Sequence, residues 1–194
     1  MGHQSGARPN QHQAIIGFLD RCCRAMAALA ADLPPRAPER GGVEAVAAAT
    51  AAATPNEYEP TWVPVLDTIT GLSAEPDDDL THRFTALAPV LPWTPTSRAE
   101  DGGTELALAP LDRAFDFGDT TIVLMYIGPD ATYPLHHHPP QELYLTIAGT
   151  GRWRYGGRTE PETIGPQRLL YNHPNDLHTA TAGHDPLLAL AVLW

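Results

Sequence analysis

The chain has 194 residues, a formal net charge of −11 and 43% hydrophobic residues. That size and apolar content support one domain of ordinary size with an N-terminal extension, while the acidic balance excludes a surface built for nucleic acid or an anionic membrane. All 12 basic residues are arginine, which removes Schiff-base chemistry, pyridoxal phosphate attachment and the P-loop lysine together. No apolar run is long enough to span a bilayer, and no basic stretch followed by an apolar one opens the chain; the expectation is a cytoplasmic protein. The two cysteines, Cys22 and Cys23, are adjacent, a spacing that rarely permits a disulfide, and read as small buried apolar residues.

Residues 1 to about 11 are polar and read as a frayed terminus. From His12 to Ala31, Ile15, Ile16, Leu19, Cys22, Cys23, Met26 and Leu29 follow the spacing of an amphipathic helix, which stops before Pro34-Pro35. Gly41-Gly42 opens a second, alanine-rich helix over Val43 to Ala53, ended by Pro55. A third helix is predicted over Trp62 to Leu72. A fourth runs from about Asp77 to Leu87, where the acidic start suits the helix dipole. Leu87 to Arg98 is proline-rich and reads as a connector. After Gly102-Gly103 come ELALAPL, FDFGDTTIVLMYIG, ELYLTIAG, GRWRYGG, QRLLYN and LLALAVLW, short strand-like runs separated by turn residues. Such a series predicts a sandwich or small barrel, and its last run is apolar throughout, as in a strand buried on both faces.

Tyr133 to Gly149 reads YPLHHHPPQELYLTIAG. From Glu142 the composition is that of a strand, so Glu142 and Tyr144 share one face and Leu143 and Leu145 the other. If His136 to His138 is also extended, His136 and His138 point one way and His137 the other. A turn at Pro139-Pro140 then lets His136, His138 and Glu142 converge, two imidazoles and a carboxylate that suit zinc, iron, manganese or nickel. The arrangement H-x-H-x3-E-x6-G, formed by His136, His138, Glu142 and Gly149, resembles the first motif of the cupin superfamily. The resemblance implies a double-stranded β-helix, or jelly-roll-like, barrel and one more histidine ligand from a later strand. In YNHPNDLHTATAG that ligand is His178, preceded by Pro174 at one residue less than the usual spacing; His173 lies before the proline. The fold class is therefore mainly β, with a C-terminal cupin barrel over 101–194 and an all-helical region over 1–100.

Tyr144 follows Glu142 by two residues and faces the same cavity, and Tyr133 leads into the motif. A phenol near a dication ionises more readily than in water, where its pKa is about 10. With these tyrosines added to His136, His138, Glu142 and His178, the chain resembles the cupin-type dimethylsulfoniopropionate (DMSP) lyases, the DddQ type in particular. The likeness extends from about residue 85 to the end and includes LAPVLPWTP and LLALAVLW. It implies β-elimination of DMSP to dimethyl sulfide and acrylate on one divalent metal, with Tyr144 as base and Tyr133 in support. Trp93, Tyr126, Trp153, Tyr155 and Tyr171 are candidates to surround the sulfonium cation. Two other classes share the metal motif, an iron dioxygenase that needs no tyrosine base and a non-catalytic small-molecule-binding cupin, since fold does not fix function. The expected partner is a small molecule, with a homodimer as the expected assembly if the helical region forms an interface. The alternative use of that region is a lid over Glu39 to Asn56 hinged at Gly41-Gly42.

Overall fold

The structure, a computed structural model, describes residues 8–72, 78–95 and 105–194. Among these are four α-helices, α1 (Arg8–Ala30), α2 (Glu39–Ala52), α3 (Leu66–Thr70) and α4 (Asp79–Leu87), and the expected all-helical region is interrupted by a short strand between α2 and α3. The strands are β1 (Thr54–Pro55), β2 (Thr94–Pro95), β3 (Leu106–Pro110), β4 (Phe115–Asp116), β5 (Thr121–Ile127), β6 (Thr132–His136), β7 (Glu142–Ala148), β8 (Gly151–Arg154), β9 (Glu162–Ile164), β10 (Leu169–Asn172), β11 (His178–Ala182) and β12 (Leu187–Leu193). They form a six-stranded sheet in the order β10-β7-β12-β5-β3-β2, a four-stranded sheet in the order β6-β11-β8-β9, and the small β1-β4 pair. Every pairing between these strands is antiparallel, and an isolated bridge between Thr61 and Pro92 is parallel. No helix among the described residues is long and apolar enough to cross a membrane.

The helices differ from the sequence expectation in ways the residues explain. α1 is already formed at Arg8, the first described residue, ahead of the expected start at His12, and Pro9 is tolerated in a first turn because no N–H is needed there. α2 runs through Gly41 and Gly42. A Cβ on Gly42 would lie 2.7 Å from Leu143 and Trp194 side-chain atoms, so this glycine lets the helix backbone approach β7 and does not act as a hinge. α3 is confined to five residues, since Pro64 disfavours helical backbone in the residue before it. α4 is capped by the Asp78 carboxylate, which accepts from the Thr81 N–H at 3.0 Å. Asp77, the end of the connector from residue 96 and the Gly102-Gly103 turn, with the boundary near residue 100, lie outside the described residues, as do residues 1–7.

The helical region and the sheet share one core. Ile15, Leu19, Met26 and Val46 from the helices cluster with Leu143, Leu145 and Ile147 of β7 and Leu188, Leu190 and Val192 of β12. The alternate residues of β12, Leu187, Ala189 and Ala191, belong to a second cluster inside the barrel with Tyr133, Tyr144 and Trp153. β12 is thus apolar throughout because both of its faces are buried. Gly149 has φ +79, and a Cβ there would overlap the Pro186 carbonyl oxygen. The closing glycine of the motif is required by backbone contact as well as by its left-handed conformation.

Candidate metal centre

His136 closes β6 and pairs in register with His178 at the start of β11. The next pair is Tyr133 with Ala180, so three steps along β6 match two along β11, which is a β-bulge. Pro134 lies within it, and a bulge is one of the few places in a sheet that accepts a residue without an N–H. A regular strand would put residues three apart on opposite faces. The bulge instead turns Tyr133 and His136 to the same side, with ring centroids 4.6 Å apart.

His136, His138 and His178 converge, each offering a nitrogen within 4.8 Å of the others. His137 between them is exposed. The Nδ1 of His136 meets the Pro134 carbonyl at 2.8 Å, that of His138 the Pro140 carbonyl at 3.0 Å, and that of His178 the Asp176 carbonyl at 2.8 Å. A carbonyl only accepts, so each Nδ1 carries the proton. In the neutral ring the Nε2 lone pair is then the one available for a metal. Glu142, only 3% exposed, adds a carboxylate oxygen: Oε2 lies 3.4 Å from His138 Nε2 and 3.2 Å from His178 Nε2. Two ligands bound at about 2.1 Å to a tetrahedral or octahedral ion lie about 3.0 to 3.4 Å apart, so these separations fit donors sharing one ion. Three imidazole nitrogens and one carboxylate suit a divalent transition metal.

Beside the cluster is a cavity of about 270 Å³ lined by Tyr133, His136, His138, Glu142 and Tyr144 on one side and by Leu108, Val123, Met125, Ala191 and Leu193 on the other. Tyr144 is 3% exposed. Its ring packs on Trp153 at 5.3 Å and lies 6.3 Å from His178, and it lines the same cavity as His136, His138 and Glu142.

Of the aromatic residues expected around a cation, none lines this cavity; Trp153 packs behind Tyr144. Trp93 is buried among the helices, its Nε1 donating to the Ala88 carbonyl at 2.7 Å. Tyr126 leaves β5 toward the helices with Ile122 and Leu124, while Val123 and Met125 face the cavity. Burial, then the Glu105 carboxylate, push the Tyr126 phenol above its usual pKa. Tyr155 donates to Glu162 at 3.0 Å and Tyr171 to Gln141 at 2.7 Å, neither lining the cavity. His173 is exposed and packs on Tyr171 at 4.8 Å. The proposed lid is also misplaced: α2 packs on Leu143, which points away from the cavity. Sequence reasoning missed Asn172, fully buried beside Glu142.

The dimethylsulfoniopropionate lyase family model matches residues 39–189. The chain is 35% identical over 72 residues to the dimethylsulfoniopropionate lyase DddQ of Ruegeria pomeroyi, covering 37% of this chain and 34% of that protein. The aligned segment thus spans about a third of that relative's length. Among solved structures, one of the DMSP lyases RdDddP and RnDddQII superposes with a TM-score of 0.71 at 20% identity, covering 94% of this chain and 93% of the other. The structure of DddQ from Ruegeria pomeroyi DSS-3 gives 0.68 at 19% identity over 91% of each chain. At these identities the superpositions speak to the fold, a helical region followed by a cupin-type barrel.

Proposed function

The chain belongs to the dimethylsulfoniopropionate lyase family, and we propose that it cleaves DMSP to dimethyl sulfide and acrylate by a metal-dependent β-elimination. The observation that carries this reading is the cavity shared by Tyr133, Tyr144, His136, His138 and Glu142, beside the convergence of His136, His138 and His178, with Glu142 3.2 Å from His178. A β-elimination needs a base close to the acidified Cα–H, and a buried phenol next to a cation site provides one.

His136, His138, Glu142 and His178 would hold the divalent metal, zinc, iron, manganese or nickel. When bound, such an ion supplies a Lewis acid for the substrate carboxylate and favours ionisation of a neighbouring phenol. Tyr144 takes the Cα proton; the C–H electron pair becomes the new C=C bond, and the C–S pair leaves with sulfur as neutral dimethyl sulfide. Trp153 packs against Tyr144 with its ring tilted by 60° and backs it from the barrel interior. Tyr133, edge-on to His136, supports the substrate from the strand beside the metal site. The apolar wall of Leu108, Val123, Met125, Ala191 and Leu193 gives the neutral leaving group a surface it need not hydrate. That wall suits the methyl groups of a sulfonium by size and apolarity, in place of an aromatic cage.

The test is dimethyl sulfide in headspace gas from DMSP incubated with protein loaded with zinc, iron, manganese or nickel in turn. Release that requires metal is expected. No release with any of the four would remove DMSP as substrate and bring the iron-dioxygenase reading forward.

A further inference from the structure

Asn172 ends β10 directly opposite Glu142, its register partner on β7. It is fully buried, and its Nδ2 donates to Glu142 Oε2 at 3.1 Å. That oxygen is the one lying 3.2 Å from His178 Nε2 and 3.4 Å from His138 Nε2. The amide cannot be turned over, because its Oδ1 accepts from the Gly156 N–H at 2.9 Å. Gly156 and Gly157, with φ +58 and +71, form a tight turn after β8, closed by Arg158 N–H to the Tyr155 carbonyl at 3.1 Å. One side chain therefore fastens the carboxylate of the six-stranded sheet to a hairpin of the four-stranded sheet, at the level of the metal cluster.

We propose that Asn172 is the positioning residue for the Glu142 carboxylate, fixing which oxygen faces the histidines and how firmly. The inference rests on the metal reading above. A carboxylate on a flexible glutamate side chain has two equivalent oxygens and a loosely held terminal rotation. A donor on one oxygen, itself locked by a backbone N–H, selects one orientation before the ion arrives. Partners of this kind are worth about 10- to 100-fold in metal affinity.

The experiment titrates metal-stripped full-length protein with Co(II), following the visible absorption bands and the dissociation constant, for wild type, Asn172→Ala and Thr146→Val. Thr146 is the control. It is equally buried, and its hydroxyl holds a loop through Gly165 and Arg168 at 2.9 Å each, but it does not line the cavity. Both variants are expected to melt at lower temperature. Only Asn172→Ala should bind Co(II) more weakly, by about 10- to 100-fold, with shifted bands. Wild-type affinity and bands in Asn172→Ala would overturn the proposal, as would an equal loss in Thr146→Val, which would signify general loosening. Wild type that takes up no Co(II) would overturn the metal site itself, and this inference with it.

Discussion

Leu143, Leu145 and Ile147 leave β7 on one side and meet the helices, while Glu142 and Tyr144 leave it on the other and meet three histidines. β12 divides the same way, with Leu188, Leu190 and Val192 outward and the smaller Ala189 and Ala191 inward. The outer face is closed by large aliphatic residues with no polar group to satisfy. The inner face carries the polar side chains, and the Nδ1 atoms of His136, His138 and His178 and the carboxylate of Glu142 are each held by a backbone or side-chain partner. Two neighbouring residues on one strand thus belong to different problems, stability for one and chemistry for the next. Substitutions one position apart should separate the two.

The largest effect belongs to the inner face. Tyr144→Phe should lower dimethyl sulfide release by about 10²- to 10⁴-fold, the range for losing a general base, with little change in thermal melting. If melting collapses instead, the division between the faces fails at that residue. One position away, Leu143→Ala should cost about 2 to 5 kcal/mol in denaturant unfolding, while turnover per folded molecule stays within about twofold. Gly42→Ala sharpens the outer face further. The new methyl meets Leu143 and Trp194, and about 1 to 3 kcal/mol of stability should be lost, again with the metal site intact.

The smallest effect is a pH dependence confined to the helices. Cys22 is buried and its thiol is pushed up from 9.0, first by burial and then by Cys23. The folded chain therefore keeps a proton that the unfolded chain releases. Stability from this group is full below pH 9.0 and falls as pH rises above it, by about 1.4 kcal/mol per pH unit. Cys22→Ala should flatten that alkaline slope in unfolding measurements between about pH 9 and 10.5. An unchanged slope would assign it to the other groups that burial raises, the Cys23 thiol and the phenols of Tyr58, Tyr126, Tyr155 and Tyr171.

Much of this was legible in the sequence because strand alternation assigns faces without any knowledge of packing. The parity of Glu142 and Tyr144 follows from ELYLTIA alone, and the turn signals mark the β-rich region. What was not legible depended on contacts between distant segments. Tyr133 faces the site through a bulge that appears only in the pairing of β6 with β11. Gly42 looked like a hinge because its reason, the approach of β7, is a tertiary one. Tyr126 was a candidate for the cavity because both faces of β5 are apolar, and nothing local says which one turns inward. A single asparagine carries no pattern at all, so Asn172 became visible only when β10 was placed beside Glu142.

The central claim is that one chamber holds a metal and, separately, a tyrosine base. It is tested most directly by measuring bound metal and dimethyl sulfide release on the same preparation of Tyr144→Phe. The account predicts metal content equal to wild type with release lowered by at least about 10²-fold. Full metal with wild-type release would contradict it, since the elimination would then proceed without the Tyr144 hydroxyl.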